Sequence, residues 1–300
     1  MSVLLSAVAQ LVHLLLVLLA APALAGLIGV LSQFLAGRKG PPIQQPWRDL
    51  TRLFRKITVR AENASAVSRL APLVSVVLAA LSALLIPSFT LGMVSAPLAD
   101  LLSLAALFAL GRVVLVLAVM HAGNGEGGFA ATGTVRLSIA AEPAMLLAVF
   151  GLALLAGGSE FDRIVTARME GLLLPGPAGA LAMAALALIG WVDAVRPNMD
   201  AAFSARDLAL VRIAEQLRLV AWCDLIGAMA LPFGMAAAGA GPLAWGFGLL
   251  AWAGRLVLAA LVLAGVRVFA PAHLAPAGGV LALALCGVAV VLAMVGGAAP

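Results

Sequence analysis

The stretch GRKGPPIQQPWRDLTRLFRK, residues 37–56, is the one densely charged segment of an otherwise oily chain. Its first half cannot continue a helix. Pro41 and Pro42 fix φ, and Gly40, which precedes them, is driven out of the α region. After Pro46 the pattern changes. Trp47, Leu50, Leu53, Phe54 and Ile57 recur at spacings of three and four, while Arg48, Arg52, Arg55 and Lys56 lie mostly on the opposite side. This periodicity predicts an amphipathic helix at a membrane surface. Acidic lipids alone would hold such a helix as an anchor. The rigid Gly-Pro-Pro turn adds something an anchor does not need: it aims the helix in one direction, which suits docking against a partner protein.

What surrounds the segment is membrane. Of 300 residues, 64% are hydrophobic and 10% charged, and mean hydropathy is +1.16, whereas a soluble domain carries about 25% charged residues. A helix needs about 20 apolar residues to cross the hydrocarbon. Eight stretches qualify, near 3–35, 70–94, 98–120, 137–156, 176–194, 208–234, 243–269 and 279–298. The expected fold is an all-α integral membrane protein. A single transmembrane bundle of about eight helices spans residues 1–300, with the amphipathic helix after the first span. Residues 3–35 follow no basic leader, and no cleavage site precedes a soluble domain, so they read as a retained span. No internal repeat stands out, which weighs against inverted-repeat transporter folds.

The basic residues orient the bundle. The 37–69 loop holds Arg38, Lys39, Arg48, Arg52, Arg55, Lys56, Arg60 and Arg69, against Asp49 and Glu62. By the positive-inside rule this loop is cytoplasmic. The N-terminus is then outside, the 121–136, 195–207 and 270–278 loops inside, and the 157–175 loop outside. The basic excess behind the chain's net charge of +5 is concentrated in this one loop, so it points to membrane lipid and protein partners and not to nucleic acid.

Ionisable groups within membrane helices are costly and mark function or pairing. The candidates are Arg112, Glu142, Asp193, Arg212, Glu215, Arg218, Asp224 and Arg255. Glu142, if buried, suits carrying a proton; the alternative is an ion pair with Arg136, six residues earlier. Arg212, Glu215 and Arg218 recur every three residues and share a face. They form either a ladder of ion pairs or a conducting element. Asp224 points elsewhere on the same helix, and Asp193 ends the fifth span; either joins a polar line through the interior. His13 reads as a polar contact inside the bundle. Cys223 and Cys286 read as buried small hydrophobes, outside any metal or disulfide spacing. GNGEGG at 123–128 reads as a flexible loop, since it lacks the ending and the strand of a phosphate cradle. No nucleophile–base pair and no nucleotide fingerprint appears, so the chain alone is not expected to be a catalyst.

Three motifs, in order, carry a resemblance. GRKGPPIQQPWRDLTRLFRK resembles the first cytoplasmic loop of the complex I subunit 1 (NuoH-type) family. It is most similar to the branch found in energy-converting hydrogenases, the formate hydrogenlyase HycD and hydrogenase-4 component C type, where R-[KR]-G-P-x-x-x-Q-x-[WY]-R-D follows the first helix. GGFAATGTVRLSIAAEPAMLL resembles the family's Gly-rich loop, Arg and Ala-Glu-Pro motif, which places Arg136 and Glu142 on family positions. ARDLALVRIAEQLRLVAW, then LPFG, resembles the stretch that opens a late helix. The resemblance implies a membrane anchor subunit of a multisubunit oxidoreductase in a bacterial inner membrane. It implies a docked peripheral arm of hydrogenase-like and iron–sulfur subunits, and antiporter-like membrane neighbours. Iron–sulfur clusters, and nickel–iron or quinone, are expected on partners, with no cofactor or metal bound by this chain. Docking falls to Arg38, Lys39, Gln45, Trp47, Arg48, Asp49, Arg52 and Arg136. Glu142, Asp193, Arg212, Glu215, Arg218 and Asp224 are the proton-path candidates. One departure stands out. Where the hydrogenase branch carries a longer acidic link, VDAVRPNMDAAFSARDLAL offers only Asp193, Asp200 and Asp207. That departure leaves a second reading open, a scaffold or ion-coupling subunit of a non-redox transport complex.

Overall fold

The computed structural model describes residues 2–60, 65–171, 176–197, 199–270 and 272–297. Glu62, counted above against the basic loop, lies outside the described residues. Among the described residues ten α-helices follow one another: α1 (Ser2–Leu35), α2 (Gln45–Phe54), α3 (Ala66–Leu85), α4 (Leu101–His121), α5 (Gly125–Ala156), α6 (Phe161–Met169), α7 (Pro177–Ala194), α8 (Ala205–Ala230), α9 (Pro242–Phe269) and α10 (Ala275–Gly297). Eight are long, and seven of those are apolar enough to cross a membrane. The eighth is α8, where six charged residues interrupt the apolar pattern. It sits in the interior, packed against α1, α3, α7 and α9, so its charges face protein except for Arg206 of the first turn, which is exposed.

Each expected span corresponds to a long helix, with two boundaries corrected. The span near 70–94 ends at Leu85, because Ile86–Pro87 turns the chain into an extended segment. The span near 137–156 begins twelve residues earlier, at Gly125. GNGEGG is therefore a helix start and not a flexible loop. Asn124 caps it by accepting from the Gly127 N–H at 2.7 Å, which stabilises a Gly-rich first turn that has poor intrinsic propensity. The loop after α5 also holds more structure than the sequence pattern showed, namely the nine-residue α6.

The links gather at two ends. At one, the α1–α3, α4–α5 and α7–α8 links meet. The Val59 N–H donates to Ser204 Oγ at 3.0 Å, Arg60 donates twice to Asp207 at 2.7 Å, and Asn124 Nδ2 donates to the Ala201 carbonyl at 3.0 Å. At the other end, Thr90–Leu91 (β1) pairs in parallel with Ala236–Ala237 (β2). There Arg168 of α6 donates to the last carbonyls of α8, Met229 and Ala230, and Arg255 donates to the Leu231 and Ser88 carbonyls. These cations satisfy helix C-terminal groups that would otherwise lack partners. His13 fills its expected role in this half, bonded to Ser88 Oγ at 2.7 Å and to the Ala83 carbonyl at 3.0 Å.

Asp162 of α6 ties this second end together by accepting from the Gly92 N–H at 2.7 Å. Burial raises its carboxyl above the usual 3.8; the Gly92 bond opposes that shift and the Glu160 charge adds to it. A raised folded-state pKa gives stability that is complete below 3.8 and is lost as pH rises through the folded value. Asp162→Asn stays neutral throughout. The thermal midpoint of the variant is therefore expected to gain on the wild type as pH rises through that window. A constant difference across the titration would contradict the assignment.

Candidate functional site

The opening segment is bent back against the helix it leaves. The Ile43 carbonyl comes so near Gly26 of α1 that a Cβ there would overlap it, and a Cβ on Gly40 would stand 3.1 Å from the Val30 Cα. Glycine at both positions lets two backbones touch. This contact fixes where α2 begins, and Pro46 fits its first turn. Leu50 and Leu53 are buried against Leu208, Ala209 and Ile213 of α8. Trp47 and Phe54, placed on the same apolar side, stay partly open, at 38% and 41% exposure. Ile57 lies past the helix end and is 89% exposed, so it is not part of the packed face. Of the expected docking residues, Arg38, Lys39, Arg48 and Arg52 are exposed. Gln45 Nε2 donates to Asp49 Oδ1 at 3.1 Å, and Arg52 lies 3.4 Å from the same oxygen, a small brace along the helix. Arg136 is exposed on the early turns of α5.

Behind this face lies a buried ionic cluster centred on Asp193. Its carboxylate receives Arg112 at 2.9 Å, Trp222 Nε1 at 2.9 Å and Arg218 at 3.4 Å, and it is also paired with Arg196. Arg112 reaches on to Glu142 at 3.1 Å. The structure thus joins Glu142, Asp193 and Arg218 through Arg112. It corrects two expected pairings. Glu142 pairs with Arg112 of α4 and not with Arg136, since the Arg136 side chain lies on the outer face of α5. The Glu142 carboxylate is also only partly buried, at 37% side-chain exposure. The Arg212–Glu215–Arg218 ladder does not form. Arg212 turns to Asp200 at 2.8 Å and Arg218 turns to Asp193, because acids on neighbouring segments lie nearer. Glu215 has no hydrogen bond or ion pair among the described residues. Asp224 stands apart from the cluster and accepts from Trp252 Nε1 at 2.7 Å.

Arg196 and the Arg60–Asp207 pair enter the site from the structure alone. Arg196 stands three residues after Asp193 in VDAVRPN, a spacing that favours pairing, and burial holds its guanidinium well below the usual arginine range. Arg60 is raised, chiefly by its bonds to Asp207. No sequence spacing links residues 60 and 207; only the fold brings them together.

A cavity of about 1100 Å³ runs along α8 beside this cluster. Its charged end is lined by Asp193, Arg196, Asp200, Arg212, Glu215 and Arg218; its other walls, from α7 and α9, are mostly apolar, with Arg255 and Arg267 the charged residues of the α9 wall. A smaller cavity of about 200 Å³ lies under α2, between Gly26, Gly29, Pro41, Pro42 and Asp49. Ala25, Arg212 and Gln216 border both, so the underside of α2 adjoins the ionic cluster.

Comparisons with known proteins follow the same lines. A family model described as NADH dehydrogenase matches residues 8–295. Hydrogenase-4 component C of Escherichia coli (strain K12) is 28% identical over 212 residues, which is 66% of this chain and 67% of that protein. Formate hydrogenlyase subunit 4 of the same organism is 27% identical over 188 residues, 63% of this chain and 61% of that protein. The match thus spans roughly two thirds of these relatives' length. A chain in the structure of the membrane-bound sulfane sulfur reductase (MBS), an archaeal respiratory membrane complex, shares the fold. Its TM-score is 0.76 at 17% identity, over 95% of this chain and 98% of that one.

Proposed function

Since the chain belongs to the NADH dehydrogenase family, we propose that it is the membrane anchor subunit of a complex I-like or formate hydrogenlyase-type oxidoreductase. It seats a peripheral electron-transfer arm on the basic face of α2, with that face cytoplasmic and the N-terminus outside. The observation that carries this reading is the seating of α2. A run of exposed Arg38, Lys39, Arg48 and Arg52 is held in one orientation by Leu50 and Leu53 on α8 and by the backbone contact at Gly26. A lipid anchor does not require that rigidity, whereas a protein interface gains from it, because preorganised elements lose less entropy on binding.

The cluster beneath α2 supplies the second half of the proposal. Glu142, Asp193, Arg218, Arg212 and Glu215 form the polar line through which protons pass toward antiporter-like neighbours, with Asp224 further along α8. Electron carriers, iron–sulfur clusters and nickel–iron or quinone, belong to the arm. The hydrogenase-related proteins above share the chain's family traits, and their names motivate the choice of arm.

Charge reversal of the docking face tests the reading. Arg48→Glu with Arg52→Glu removes only the exposed Arg52–Asp49 pair, which contributes about 0.2–1 kcal/mol, so the bundle stays inserted. The peripheral iron–sulfur subunits, recovered with the tagged wild type from native membranes in mild detergent, are expected to be lost from the double variant. Their undiminished recovery would remove α2 as the seat. Recovery of transport subunits alone with the wild type would instead favour the non-redox scaffold, which the short acidic link between α7 and α8 motivates.

A further inference from the structure

The large cavity is long and mostly apolar. Along α8 its lining runs from Arg212 to Ala230, a rise of about 27 Å at 1.5 Å per residue, close to the roughly 30 Å of a bilayer's hydrocarbon. Its shape is a trough with α8 as floor and α7 and α9 as walls. Leu188, Leu219, Ile226, Ala259 and Leu263 make the middle apolar. The charge around it is unbalanced. Among the described residues, six arginines line it against three acids. Three of the arginines share the single carboxylate of Asp193. Arg267, two residues from the end of α9, has no hydrogen bond or ion pair among the described residues and is exposed.

We propose that this trough binds an anionic phospholipid. The headgroup phosphate lies at the Arg267 end, and the acyl chains lie along α8 between α7 and α9. Charge complementarity selects the class. A neutral apolar ligand would fill the middle and leave Arg267 unpaired, and a zwitterionic headgroup would offset its own phosphate. A guanidinium at headgroup depth binds phosphate through paired N–H donors. The lipid then closes the trough from the side and keeps the Asp193 cluster in a dry setting. The site is independent of which peripheral arm the chain carries.

The test uses the full-length chain in nanodiscs of equal phosphatidylglycerol and phosphatidylcholine, followed by mild extraction and mass spectrometry of the retained lipid. Retention of phosphatidylglycerol over phosphatidylcholine is expected. Arg267→Gln should lower that preference about fivefold, the worth of one basic residue near an anionic surface. Ala187→Trp, which fills the α7 wall without touching charge, should abolish retention of either lipid. Inorganic phosphate should not displace the retained lipid. Equal retention of both lipids, an unchanged preference in Arg267→Gln, or displacement by phosphate alone would each overturn the proposal.

Discussion

Asp193→Ala is expected to destabilise the bundle by about 3–5 kcal/mol, the cost of breaking a buried ion pair from one side. The substitution strips one carboxylate from Arg112, Arg196 and Arg218 together and leaves the Trp222 indole N–H without its acceptor. Arg112 keeps Glu142, but Arg196 and Arg218 have no other ion-pair partner among the described residues. The readout is heat- or detergent-induced unfolding of the purified chain, with Trp222 as a local reporter. Glu142→Gln serves as the contrast. That carboxylate is partly exposed and serves one arginine, so its loss should cost about 0.2–1 kcal/mol. Asp193→Asn is the intermediate case: the amide oxygen still accepts from Trp222, while the amide nitrogen replaces the oxygen that receives Arg112 and Arg196, so the charge and those two pairings are lost. A second substitution, Arg218→Met in the Asp193→Ala background, should restore part of the loss by removing an uncompensated cation. If Asp193→Ala proves no more damaging than Glu142→Gln, the cluster does not hold α4, α7 and α8 together. If Asp193→Asn folds normally yet stops proton movement in the assembled complex, the residue conducts.

The origin of this cluster shows what the sequence could and could not convey. The ten-residue helix that carries Pro46 in its first turn is legible because Leu50 and Leu53 repeat at helical spacing against a dense basic face. The eight long helices were legible because bilayer thickness fixes their length. The identity of the buried ionisable residues was legible too, since a charge in an apolar run has few innocent explanations. Their pairing was not. Within one helix, Arg212, Glu215 and Arg218 look like natural partners, because spacing is all that a sequence shows. In the bundle, Asp193 at the end of α7 and Asp200 in the following link approach the same arginines from outside α8. Long guanidinium arms reach the acid that also satisfies a neighbour, as Arg112 does in joining Glu142 to Asp193. The early start of α5 is hidden in the sequence for a local reason. GNGEGG has the composition of a loop, and a single capping bond from Asn124 makes it a helix. Periodicity places Phe54 and Ile57 with the packed leucines, but the helix ends at Phe54 and leaves Ile57 in the open.

Gly26→Val is expected to unseat α2 while leaving the transmembrane bundle intact. A side chain at this position overlaps the Ile43 carbonyl, and backbone atoms on two rigid segments cannot step aside as a flexible side chain would. Overpacking of this kind costs about 1–3 kcal/mol. The least costly relief is to lift residues 41–43 away from α1, since α1 is held in place by α8 and α9. Lifting the turn tilts α2 and draws Leu50 and Leu53 off α8. Their burial is worth about 1.5–3 kcal/mol each and resists the movement. The docked form keeps the larger contribution, but the clash narrows its advantage, and the lifted population should rise by roughly one to two decades. Leu50→Cys reports the change, because Leu50 is 7% exposed and the two native cysteines are buried in other helices. Thiol labelling at position 50 should be slow in the otherwise wild-type chain and fast with Gly26→Val. The same variant should lose the peripheral arm although every charge on α2 remains, which distinguishes a lost orientation from a lost charge. Unchanged labelling would mean that the turn absorbs the clash, and that Gly26 is not what aims the basic face.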